Sequence, residues 1–144
     1  MQYVETKKVV KVTEYVAFDG KHFEDVQECR DYESKYKSEA EIYVTAHCLK
    51  KFLGDDVHFV HAIGCDTCVE YLVTLDEEMT KQLVTLISIC YGGGESCGEL
   101  FRKIRNDCNE VVWIEEDGCG NWYYYGTLND CLAEVNETVT EVFN

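Results

Sequence analysis

The stretch from Tyr15 to Tyr36 constrains the fold more than any other part of the chain. Tyr15-Val16-Ala17-Phe18 reads as a strand end. Asp19-Gly20 follows, and a glycine there supplies the positive φ that a tight turn needs. Asp25 with Glu28 three residues later is a helix start signal. Val26, Cys29, Tyr32 and Tyr36 then recur at helical spacing and define one apolar stripe, with Glu33 and Lys37 as an i,i+4 pair. A strand that turns directly into a capped helix points to an α+β fold.

The rest of the chain extends that pattern. Residues 3–18 alternate and are rich in β-branched side chains, which predicts a strand bent near Lys8. Ser38 with Glu41 predicts a second helix start, or a kinked continuation of the first helix, with Ile42, Ala46, Leu49 and Leu53 on its buried face and Gly54 as its stop. Ile42 to Thr45 also fits a short strand. Val57–Ile63 and Cys68–Leu75 read as strands around a Gly64–Thr67 loop. Asp76-Glu77-Glu78 opens a helix with Leu83, Leu86, Ile87 and Cys90 inward, and Gly92-Gly93-Gly94 ends it. Ser96 with Glu99 caps a short helix carrying Leu100, Phe101, Ile104 and Cys108. Val111–Glu115 and Asn121–Tyr125 form a hairpin around Asp117–Gly120. A last helix is expected from Leu128 to Phe143, with Leu128, Cys131, Leu132, Val135, Val139 and Val142 on one face. Taken together, residues 1–144 read as a single acidic α+β domain. Its sheet is mixed or antiparallel, with three to four helices packed mainly on one face.

The hydrophobic content of 46% suits a globular chain and argues against disorder. There is no proline, so turns rely on Gly, Asn and Asp. No run of eighteen apolar residues occurs, and the opening residues do not resemble a signal peptide. Nine cysteines, an odd number, argue for a reducing cytosol rather than a disulfide framework.

The charge is lopsided. Residues 1–51 carry nine Lys/Arg and ten Asp/Glu, whereas residues 52–144 carry four and eighteen. From Asn106 onward there are nine acids and no Lys or Arg. Such a surface repels nucleic acid and attracts a basic protein. In the Trp122–Tyr125 run, alternation sends Trp122 and Tyr124 to one face and Tyr123 and Tyr125 to the other. One pair belongs to the core and the other suits an interface. The candidate partner-binding residues are therefore Glu115, Glu116, Asp117, Tyr123, Tyr125, Glu134, Glu137 and Glu141.

Other constellations are less specific. Ser96 at a helix start, Arg102, Lys103, Arg105, Trp122 and Tyr124 could hold a nucleotide, the cations on its phosphate and the rings on its base. Cys65-Asp66-Thr67-Cys68 with His58 and His61 has the residue types of a zinc site, but on a strand the two histidines point to opposite faces. No cysteine–histidine pair is singled out as a nucleophile and base, so the expectation is a non-enzymatic protein without a cofactor.

The Phe18-Asp19-Gly20…Phe23 turn followed by Cys29…Tyr32-Glu33 resembles the opening of small accessory proteins encoded by phages and mobile elements of Gram-positive bacteria. The resemblance covers roughly residues 9–36. Some small acidic phage proteins block host defence, as anti-CRISPRs or as sequesterers of nucleotide signals. The resemblance therefore implies a cytoplasmic protein in a host cell that binds and inhibits a defence component with a basic surface. Its alternative is a sponge for a signalling nucleotide. The matched residues look structural, so no functional residue is carried over.

Overall fold

In the computed structural model, residues 1–53, 68–91 and 97–134 are described. The fold is α+β, with four helices and two antiparallel sheets among these residues. A small hairpin pairs β1 (Tyr15–Val16) with β2 (His22–Phe23). Helix α1 (Val26–His47) follows, then β3 (Lys50–Phe52), β4 (Val69–Thr74), α2 (Glu77–Tyr91), α3 (Cys97–Asn106), β5 (Val111–Glu116) and β6 (Trp122–Thr127). Helix α4 begins immediately after β6 and covers 128–134. The main sheet runs in the order β3-β4-β5-β6, every pair antiparallel.

The opening turn is built as its residues dictate. Gly20 has φ +88°, and its N–H donates to the Ala17 carbonyl at 2.9 Å. The motif residues fasten this turn to α1. The Phe18 N–H donates to Glu33 at 2.9 Å, and the Tyr32 hydroxyl donates to Asp19 at 2.7 Å. Phe23 packs on Tyr32, with ring centroids 5.1 Å apart, and Cys29 is buried. Asp25 caps α1 by accepting from the Gln27 and Glu28 N–H groups. Glu33 thus serves the hairpin, and the Lys37 ammonium lies against Gly120 instead.

The structure departs from the sequence pattern in two places. The strand over 3–18 is reduced to Tyr15–Val16, and residues 1–14 have no regular structure. Alternation makes a segment fit for a strand, but a strand forms only against a neighbour that takes its backbone hydrogen bonds. The helix is also continuous through Ser38, so its phase runs on from Cys29 and buries Ala40 and Val44. Ile42, Ala46, Leu49 and Leu53 are exposed, and Lys50–Phe52 is a strand.

The core lies between α1, α2, α3 and one face of the main sheet. It joins Ala40 and Val44 to Met79, Leu83, Leu86, Ile87 and Ile104 from the other helices. The sheet contributes Tyr71, Val73, Val112, Ile114 and Trp122. Asp76 caps α2, accepting from the Met79 N–H at 2.8 Å. Alternation works as expected in β6: Trp122 is buried and stacks on Tyr71, and Tyr124 packs against the same cluster. Cys108 falls past the end of α3 and is exposed, as is Leu132 on α4. The Val57–Ile63 strand, the triple glycine and the end of the last helix lie outside the described residues.

Candidate functional site

Among the described residues the main sheet ends in two unlike strands. β3 is three residues long and carries Lys50 and Lys51. Short length and lysines are the usual protection of a sheet edge. β6 is six residues long, Trp-Tyr-Tyr-Tyr-Gly-Thr, with no charge and no proline. Only β5 pairs with it among the described residues. A register shift at Trp113/Ile114 leaves Tyr125 as the extra residue of a bulge, next to Gly126 at φ +103°.

A cleft of about 340 Å³ borders this strand. It is lined by Lys103, Asn106 and Asp107 at the end of α3, by Tyr124, Tyr125 and Gly126 of β6, and by Asp130 of α4. A Cβ at Gly126 would meet nothing within 4 Å, so the bare backbone widens this opening. The Tyr124 hydroxyl donates to Asp107 and the Tyr125 hydroxyl donates to Glu115. Burial and these carboxylates both raise the two phenol pKa values. Both hydroxyls therefore stay protonated and act as donors. The cleft holds two carboxylates and one ammonium, with aromatic faces beside them. That combination suits a cationic side chain better than a phosphate.

At the start of β6, the β5–β6 loop is organised by one carboxylate. Asp117 accepts from the Cys119 N–H (2.8 Å), the Asn121 N–H (3.1 Å), the Asn121 side-chain amide (2.9 Å) and the Tyr123 hydroxyl (3.2 Å). Desolvation raises its pKa, but these donors outweigh it and hold the carboxyl below its ordinary value. Glu116 accepts from the Gly120 N–H at 2.9 Å.

The structure distributes the acidic candidates unevenly. Glu115 is 8% exposed and faces the side of the sheet opposite the helical core, as the parity it shares with buried Trp113 requires. Glu116 and Asp117 serve the loop, Tyr123 is partly open at 37%, and Tyr125 is half-buried. Glu134 is exposed one turn beyond Asp130, and Glu137 and Glu141 lie outside the described residues. Of the nucleotide set, Lys103 and Tyr124 share the cleft. Arg102 pairs with Glu99 at 3.8 Å, Arg105 lines a separate hollow with Glu77 and Thr80, and Trp122 is core. Ser96 is outside the described residues.

Asn106, Asp107 and Asp130 are the polar side chains of the cleft that the sequence does not single out. The only available signal was their place in a tract with no cation. For the zinc constellation, Cys68 alone is described; it is buried. Among the described residues no group of three His, Cys, Asp or Glu could hold a metal ion. Burial raises the pKa of the Cys29, Cys90 and Cys131 thiols, which suits packing rather than nucleophilic chemistry. Among the described residues no helix is long and apolar enough to cross a membrane. No family model, no curated protein and no solved structure matches the chain.

Proposed function

We propose that this is a non-enzymatic binding protein that takes an extended basic segment of a partner protein along the β6 edge. The β6 edge, which pairs only with β5 among the described residues and has an acidic aromatic cleft beside it, is the observation that carries this reading. Backbone hydrogen bonds to an added strand give affinity, and pockets for its side chains give selectivity. Asp107, Asp130, Tyr124 and Tyr125 supply such a pocket for Lys or Arg. The charge balance after residue 51 adds long-range attraction for a basic partner. The phage-like opening motif makes a host defence protein in the cytoplasm the expected target, with inhibition as the outcome. Capture of a signalling nucleotide has less support, because Asp107 and Asp130 flank the one lysine of the cleft.

The test is a titration of extended Lys/Arg-rich peptides, and of basic defence proteins, against the chain and its Asp130→Lys, Glu134→Lys variant. Both residues are exposed on α4. We expect saturable binding that weakens with salt and falls on the order of tenfold in the variant, equivalent to about 1.4 kcal/mol. Equal affinity for both proteins would refute the reading. A thermal shift with cyclic dinucleotides and no peptide binding would favour the nucleotide sponge.

A further inference from the structure

We propose that residues 3–12 of a second copy of this chain occupy the β6 edge, so that the protein assembles by exchange of its N-terminal segments. This rests on the reading of β6 as a docking edge and names an occupant for it. Residues 1–14 carry the sequence of a strand but none of its structure. Tyr3, Val4, Val9, Val10 and Val12 are 68–98% exposed. That is an unusual exposure for β-branched and aromatic side chains in a row, and strand addition would cover it.

The segment is two-sided. In extended form Val4, Thr6, Lys8, Val10 and Val12 fall on one face, and Tyr3, Glu5, Lys7, Val9 and Lys11 on the other. One face is thus mostly apolar and the other is mostly charged or polar. Its charge also complements the edge. Residues 1–14 hold three lysines against two glutamates, in a chain of net charge −15. The β6 neighbourhood supplies the carboxylates Asp107, Asp117, Asp130 and Glu134, which outnumber the Lys103 and Lys37 ammonium groups near it.

The segment is long enough to cover the edge and to bridge from its own copy. At about 3.3 Å per residue the ten residues span roughly 33 Å, more than the roughly 20 Å of the six residues of β6. A two-fold exchange would engage both segments and both edges, leaving neither exposed.

The experiment uses the full chain, with native mass spectrometry and hydrogen exchange across a concentration series. The wild type should show twice the monomer mass, with residues 3–12 and β6 protected from exchange. Val10→Pro removes a backbone donor at an exposed residue of a segment without regular structure, so the circular dichroism should be retained while the dimer is lost. Lys7→Glu, Lys8→Glu, Lys11→Glu should also yield monomer. A wild type that is monomeric throughout, or a dimer that survives both variants with residues 3–12 unprotected, would overturn the proposal. A monomer that still binds Lys/Arg-rich peptides at β6 overturns self-docking alone. A monomer that binds none overturns the docking edge with it.

Discussion

The Tyr125–Glu115 bond offers the sharpest test of how the β6 strand is held. Glu115 is buried on the sheet face away from the helical core, and the Tyr125 hydroxyl at the bulge donates to it. Tyr125→Phe keeps the ring and removes the donor. A hydrogen bond to a charged acceptor is worth about 1.5–3 kcal/mol, and a half-buried phenol places the loss near 2 kcal/mol. For a chain of this length that corresponds to a melting temperature lower by roughly 7 °C. Urea unfolding followed by tryptophan fluorescence should show a lower midpoint with an unchanged slope, because the surface exposed on unfolding is the same. The same substitution has a signature in alkali. The folded state raises the Tyr125 pKa through burial and the Glu115 carboxylate. The stabilisation is complete below the ordinary phenol value of about 10 and is lost as pH rises toward the folded value. Each such phenol adds a slope of about 1.4 kcal/mol per pH unit above that point, and Tyr125→Phe should remove one. A variant within about 0.5 kcal/mol of wild type, with the alkaline slope intact, would refute the placement of this hydroxyl against a buried acid.

Two further outcomes follow from the turns. Asp25→Ala deletes the acceptor for the Gln27 and Glu28 N–H groups and should cost about 1 kcal/mol, read as a lower urea midpoint. Asp117→Ala should speed hydrogen exchange at the Cys119 and Asn121 amides, with little change elsewhere in the sheet. The Asp117 pKa is depressed in the folded state, so its contribution is present above the ordinary carboxyl value and lost as pH falls through the folded one. Wild-type protection at those two amides should therefore fall on the acid side, and Asp117→Ala should show no such dependence.

The parts of the fold legible in the sequence are those where local chemistry and tertiary demand agree. The α2 stripe of Leu83, Leu86 and Ile87 is buried as its spacing predicts, and the β5–β6 hairpin turns at Asp117-Gly118. The Phe18–Glu33 motif reads correctly as structural. Its cross-links from Glu33 to Phe18 and from Tyr32 to Asp19 do not show in spacing, because they join residues thirteen to fifteen apart. Lys50-Lys51-Phe52 is too short for either period to identify it as a strand. Ser38 suggests a new helix start, but a cap residue within a helix that is already propagating simply stays helical. The cleft was less legible still. Lys103, Asp107, Tyr124 and Asp130 meet only because α3, β6 and α4 converge. The charge of Glu115 suggests a surface acid, although its parity with Trp113 puts both on one face of the same strand.

The two ends of the main sheet argue for β6 as the site of contact even without the cleft. An edge strand costs a protein nothing if it is short or charged, and β3 is both. Its lysines sit over Phe52 and Tyr71, so they also cover aromatic surface. β6 has the opposite composition. The exposed Tyr123 and the half-buried Tyr124 and Tyr125 have their hydroxyls engaged with acids, and every Lys, Arg, Asp or Glu beyond Asn106 is an acid. Uncharged strand residues with acidic flanks would discourage pairing between two β6 edges, since like charges would be brought together. The same flanks would favour a strand bearing lysines. On the proposed reading the edge would therefore be selective: it would discriminate against its own duplicate and in favour of a basic strand.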